Sequence, residues 1–386
     1  MTTTSRTWVV IAGGGTAGHV LPGISIGREL IDRGCRRSAI HYVGSARGIE
    51  DRLVPEAGFE LTVLPGRGIQ RRFTLANIGA VVGLGQALVR AILLIRRRRP
   101  AVVVGLGGYA SVACGVAAVL WRVPLIVAEQ NAVPGAANRF LSRWARASAV
   151  SFEGTDLPRA VVTGNPVRAE VLAVDRSRDR SAARRKIGVE GDRSVMAAFG
   201  GSLGALRINE AVLASLPAWH DRDDLHVRHV AGRRDHDDLA RRAPLEDTAP
   251  LSYDLIEYED DMPTVYAAAD LVLCRAGATS VAELATVGCP AILVPLPSAP
   301  GDHQTANARA LAGAGGATIV ADADLDAARL LSEVDALLSD PESLVAMGRA
   351  ASAFARRDAA GAVVDLIEIH ARRPIDTTPS RRTDDR

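Results

Sequence analysis

The chain has 386 residues, 48% of them hydrophobic, long for one domain and enough for two buried cores. A charged fraction of 23% and a net charge of +2 exclude a nucleic-acid binder that works through bulk charge. Four cysteines (Cys35, Cys114, Cys274 and Cys289) form no CxxC pair, a spacing that points to reduced thiols and no metal site.

The N-terminus MTTTSRT leads into an apolar run, Trp8–Ala12, too short for a secretory segment. From there the sequence alternates β-rich runs with helical stretches, the pattern of parallel sheets covered by helices. Strands are predicted at Trp8–Ala12, Ala39–Val43, Leu61–Leu64, Ala101–Gly105, Leu125–Ala128 and Ala147–Ser151. A second set follows at Val195–Phe199, His226–Val230, Leu255–Glu257, Leu271–Cys274, Ala291–Val294 and Ala317–Val320. Two doubly wound α/β domains are expected, 1–166 and 167–349. The break follows the turn Gly164-Asn165-Pro166, where Pro166 restricts its predecessor. A C-terminal helix at about 350–370 is expected to pack back on the first domain, and 371–386 to form a disordered tail. The segment Asp175–Lys186 reads as charged surface.

The most apolar window, Ile78–Ile95, carries Gln86 and Arg90 and is too short to favour a membrane span. Arg71 and Arg72 precede it and Arg96–Arg99 follow, so a basic, apolar surface beginning at Phe73 and Leu75 could meet anionic lipid. The competing reading is a buried crossover helix whose basic end complements its dipole. Together they predict that Phe73 to about Ile78 touches the bilayer and later turns pack inside.

Three strands run into glycine-rich turns: GGGTAGH (13–19), GLGGYAS (105–111) and FGGSLGA (199–205). Such turns admit close approach of a ligand to the backbone, and the helix that follows presents free N–H groups to phosphate. A dinucleotide site also needs an acid at the end of the second strand. Here that strand runs into Gly44-Ser45-Ala46-Arg47, which argues against an NAD enzyme. A fourth turn, CRAGATSVAE (274–283), opens another helix, capped by Thr279 or Ser280; Glu283 either closes a capping box or accepts ribose hydroxyls.

In order along the chain, GGGTAGH, GLGGYAS, AEQNAVPG (128–135), GNPVR (164–168), FGGSLGA, DDM (260–262), CRAGATSVAE and DHQTANA (302–308) resemble the motifs of the MurG family of bacterial transferases over about residues 8–365. The resemblance implies the GT-B fold, two Rossmann-like domains facing across a cleft. It implies inverting transfer of N-acetylglucosamine from UDP-GlcNAc to undecaprenyl-diphosphate-linked N-acetylmuramyl pentapeptide, in peptidoglycan synthesis at the cytoplasmic side of the cell membrane, with no cofactor or metal and other cell-wall enzymes as possible partners. It implies that Thr16, Ala17, Gly18 and Asn131 close over the donor sugar, that Arg168 and Ser202 contact the diphosphate, that Glu283 holds the ribose, and that Gln304 contacts a sugar hydroxyl. His19 is the candidate base, with a positioning role as the alternative; Glu129 and Tyr109 are weaker candidates. The chain departs from the family at Ala17, where glycine is frequent, and at Glu259, where a relative places an apolar uracil contact. Alternatives are a UDP-sugar transferase with another acceptor, a UDP-GlcNAc epimerase, or a non-catalytic UDP-sugar-binding scaffold.

Overall fold

The computed structural model describes residues 7–46, 48–65, 76–201, 204–243 and 249–375, with 76–82 given by their backbone. Phe73, Leu75 and Ser202 lie outside the described residues. The chain divides into two compact units, Met1–Arg168 with Asp358–Arg386, and Ala169–Arg357.

The first unit holds a seven-stranded sheet in the order β3-β2-β1-β4-β5-β6-β7. Its strands are β1 Val9–Ala12, β2 Ile40–Ser45, β3 Glu60–Leu64, β4 Val102–Gly105, β5 Leu125–Glu129, β6 Ala147–Val150 and β7 Ala160–Val162. Every pairing is parallel, with Val9 of β1 in register with Ile40 of β2 and Val102 of β4. The central strands β1 and β4 are covered on both faces, so their runs VVIA and VVVG are continuous rather than alternating. Each fully buried Val or Ile there contributes about 1.5–3 kcal/mol relative to exposure. The helix Ala359–His370 belongs to this core through Val363, Val364 and Ile367, and Arg33 donates to Asp365 at 2.5 Å. It is separate from the helix Pro341–Phe354, which lies in the second unit.

The second unit holds a six-stranded parallel sheet in the order β10-β9-β8-β11-β12-β13. The strands are β8 Ser194–Phe199, β9 Leu225–Val230, β10 Ser252–Ile256, β11 Leu271–Cys274, β12 Ala291–Leu293 and β13 Ala317–Ile319. The charged segment before it is a helix, Arg176–Lys186. Asp175 caps it by accepting from the N–H groups of Ser177 and Arg178.

In both sheets the strand order reverses once, between β1 and β4 and between β8 and β11. At such a switch point the connections leave in opposite directions and open a crevice at the carboxyl ends of the strands. Each of the four glycine-bearing turns follows one of these four strands.

Candidate active site

In the first unit, the turns after β1 and β4 are packed against each other. Leu106 N–H donates to Ala12 O at 2.8 Å, and Gly108, at φ +78, lies so near that an added Cβ would sit 3.0 Å from Gly14 O. Gly107, at φ +108, faces the His19 ring, where a Cβ would lie 2.8 Å from Nε2. Glycine is therefore required at 107 and 108 for both conformation and space.

His19 sits in the first turn of the helix Ala17–Asp32. Its Nδ1 lies 3.1 Å from Gly14 O and 3.5 Å from Thr16 Oγ1. A carbonyl accepts and never donates, so the Gly14 contact places the proton on Nδ1 and leaves the Nε2 lone pair toward Gly107. Thr16 is the N-cap of that helix, and Ala17 and Gly18 are its first residues. Ala17 is not among the residues with left-handed backbone, so its methyl is accommodated.

Below this turn lies a carboxylate that none of the sequence motifs contains. Glu50, the first residue of the helix Glu50–Glu56, is 1% exposed. It accepts from Gly15 N–H (3.1 Å to Oε1, 2.9 Å to Oε2), Ser45 N–H (2.7 Å) and Ser45 Oγ–H (2.6 Å). Burial pushes its pKa up, but the hydrogen bonds from Ser45 and Gly15 outweigh that and hold it below the ordinary carboxylate range.

The other two candidate bases are committed to the protein. The Tyr109 hydroxyl faces the carbonyls of Leu64 (2.7 Å) and Pro65 (2.5 Å), and burial pushes its pKa up to about 12. Glu129, buried at the end of β5, accepts from the Asn131 N–H and Nδ2, the Gly135 N–H and the Asn138 Nδ2. It shapes the loop that carries Asn131. Arg168 is half-buried at the last residue of the first unit.

In the second unit, the turn after β8 includes Gly201 at φ +93 and leads into the helix Leu206–Trp219. The turn after the neighbouring β11 leads into the helix Ala278–Val287. Gly277 caps that helix, not Thr279 or Ser280 as expected, and no side chain caps it. Glu283 falls in its second turn, out of reach of a capping box. Its buried carboxylate instead accepts from the Tyr266 hydroxyl at 3.0 Å. Thr279 Oγ1 is buried without a hydrogen-bond partner among the described residues, at the helix start.

Gln304 is in the first turn of the helix His303–Gly313. Leu296 N–H donates to its Oε1 at 3.0 Å, which fixes the amide and turns Nε2 outward as a donor. Asn307 Nδ2 donates to Ala276 O, tying this helix to the turn after β11. Glu259 accepts from Arg228 Nη2 at 2.7 Å and from Asp261 N–H at 2.9 Å, so its charge is met within the protein. The sequence does not mark Glu50, Tyr266, Asn138 or Asn307 individually, since each acts through contacts that only the fold makes.

Residues 9–150 match the glycosyltransferase family 28 N-terminal domain and 195–363 its C-terminal domain. A protein of Nocardioides sp. is 42% identical over 91% of this chain and 94% of its own length. Another, of Desulforudis audaxviator, is 38% identical over 93% and 97%. Both are named UDP-N-acetylglucosamine–N-acetylmuramyl-(pentapeptide) pyrophosphoryl-undecaprenol N-acetylglucosamine transferase. The crystal structure of Acinetobacter baumannii MurG superposes with a TM-score of 0.72 at 29% identity, covering 94% of this chain and 99% of that one. With two Rossmann-like parallel-sheet units and similarity to both domains along nearly its whole length, the chain belongs to the MurG family of glycosyltransferases.

Proposed function

We propose that this enzyme transfers N-acetylglucosamine from UDP-GlcNAc, with inversion, to undecaprenyl-diphosphate-linked N-acetylmuramyl pentapeptide. The observation that carries the reading is the similarity of about 40% to transferases of that name over more than nine-tenths of both chains.

The second unit takes the donor. Glu283, held by Tyr266, accepts the ribose hydroxyls. The start of the helix Ala278–Val287, with the unpartnered Thr279 hydroxyl, meets the diphosphate together with Ser202 and Arg168. Gln304 donates to a sugar hydroxyl, and Thr16, Ala17, Gly18 and Asn131 close over the sugar. The charge that develops on the departing UDP is met by these fixed donors. The acceptor hydroxyl attacks the anomeric carbon from the opposite face. His19 Nε2 takes its proton, an assignment supported by the Nδ1–H donated to Gly14 O. Transfer takes place at the inner face of the cytoplasmic membrane, to which the first unit binds peripherally.

The test is incubation with labelled UDP-GlcNAc and a short-chain lipid-linked muramyl pentapeptide. Label is expected in the lipid fraction, with release of UDP. Label that stays in UDP-GlcNAc, or leaves only as free sugar, would remove this reading.

A further inference from the structure

The Gly14 carbonyl and the Gly15 N–H belong to one peptide group. Their atoms lie in one plane, and in a trans peptide the two bonds point in opposite directions. Here both ends are used. On one side the Gly15 N–H donates to both oxygens of Glu50, at 3.1 and 2.9 Å; on the other the Gly14 carbonyl accepts from His19 Nδ1 at 3.1 Å. A buried carboxylate is thus joined to an imidazole through a single amide.

The seating of Glu50 depends on the glycines around it. A Cβ added at Gly14 would lie 2.0 Å from its Oε1, one at Gly48 1.8 Å from its Oε2, and one at Gly44 2.5 Å from its Cγ. Three glycines clear the space it fills. Ser45 supplies two further donors, so the carboxylate stays charged. A charge on the N–H side polarises the amide and strengthens its carbonyl as an acceptor, because hydrogen bonds in series reinforce one another. The carbonyl in turn holds the proton on Nδ1.

We propose that Glu50 is a positioning residue for His19: it acts through the Gly14–Gly15 peptide to fix the ring orientation and the tautomer with Nε2 bare. It also fills the place on the Gly15 N–H that a nucleotide phosphate would take in a glycine-rich turn of this kind, so that N–H is closed to external anions. The proposal rests on the reading of His19 as the base only for its effect on rate; the tautomer and the closed N–H stand without it.

The experiment compares the full-length wild type with Glu50→Gln and Glu50→Ala, each with and without His19→Ala. The ring nitrogens of His19 are read by 15N NMR of histidine-labelled protein, assigned from the His19→Ala spectrum. The wild type is expected to carry its proton on Nδ1 at neutral pH, and both Glu50 variants to give a tautomer mixture. Both should lower kcat about tenfold or more, with the affinity for UDP within about twofold of wild type. Formate should restore part of the Glu50→Ala activity by refilling the carboxylate site and leave wild type unchanged. In the His19→Ala background the Glu50 substitutions should cost nothing further. A wild-type ring protonated on Nε2, or an unchanged tautomer in both variants, would overturn the proposal. So would UDP affinity falling in parallel with kcat in both, since the damage would then be general. Full kcat in His19→Ala alone would instead remove the base assignment, and the NMR result would still decide the role of Glu50.

Discussion

Glu283 and Tyr266 show how a buried carboxylate depends on a neighbour distant in sequence. Both are buried, and the phenol donates to the carboxylate at 3.0 Å across 17 positions of sequence. Removing the hydroxyl without changing the ring leaves no cavity but takes a donor from a buried charge, a loss of about 1.5–3 kcal/mol. If Glu283 grips the ribose in ground and transition states alike, the loss appears in binding alone. Tyr266→Phe should therefore raise the donor KM about tenfold or more and leave kcat near wild type. Initial-rate kinetics with UDP-GlcNAc varied at saturating acceptor check this, and an unchanged KM would separate Tyr266 from donor binding. The sequence shows Glu283 through its motif but is silent on Tyr266. The same holds for Glu50: the dinucleotide pattern places an acid at the end of β2, whereas Glu50 follows on the next helix and turns back under the first glycine turn. The candidate site residues fall in motifs, whereas the residues packed behind them are placed by the fold.

At the level of elements, Gly204 of the third glycine turn lies against a chain of hydrogen bonds joining β10, β9 and the helix Leu206–Trp219 and ending on the Asp235 carboxylate. Tyr253 Oη lies 3.0 Å from His229 Nδ1, and His229 Nε2 lies 3.0 Å from Asn209 Oδ1. Asn209 Nδ2 donates to Ala231 O at 2.9 Å and to Asp235 Oδ2 at 3.0 Å. That donation makes Oδ1 the acceptor, so His229 donates from Nε2 and accepts from tyrosine at Nδ1. Gly204 lies directly against this network, where a Cβ would come 2.1 Å from Ala231 O. Burial lowers the His229 pKa from 6.5 to about 4. The unfolded chain therefore binds the proton first as pH falls, and unfolding gains from it. This stability is complete above pH 6.5 and is lost progressively down to about 4. At about 1.4 kcal/mol per unit, the whole effect is at most about 3 kcal/mol. Urea unfolding at pH 7 and pH 5 should show the drop, and His229→Gln should reduce it; equal slopes for the two proteins would remove His229 as the cause. His41 in the first unit, lowered to about 4 chiefly by burial, adds a slope of the same sign that persists in the variant. The apolar central strands were legible because both faces are covered. β7 was not, since its three residues are largely exposed at the sheet edge. β10 was placed too late, because half-buried Ser252 and Asp254 interrupt its apolar signal.

On the scale of the whole molecule, the lipid-linked acceptor proposed above would place the enzyme at a surface, and the first unit carries exposed apolar side chains suited to one. No helix among the described residues is long and apolar enough to cross a membrane. The helix Ala76–Arg98 turns Ala87, Ala91 and Ile95 into the core but leaves Val89 and Leu93 exposed, so its later turns do not pack wholly inside as expected. Leu120 and Trp121 end the helix Gly108–Leu120, which packs against both the helix Ala76–Arg98 and the helix Ala136–Leu141; Phe140 and Trp144 lie at the end of the latter. Arg96 stands 5.4 Å over the Trp121 ring and Arg143 5.5 Å over Phe140. Aromatic rings with arginines beside them suit the headgroup boundary, where the ring enters the apolar layer and the cation meets lipid phosphate. Each such cation near an anionic surface contributes about 1 kcal/mol, screened by salt. The wild type should therefore float with phosphatidylglycerol-containing vesicles at low salt and be partly released at about 1 M salt. Leu93→Glu with Trp121→Glu should lower the bound fraction while leaving UDP affinity intact, and kcat should fall on vesicle-borne acceptor but not on a short-chain soluble one. A wild type that stays with the soluble fraction at low salt would assign these side chains to some other contact.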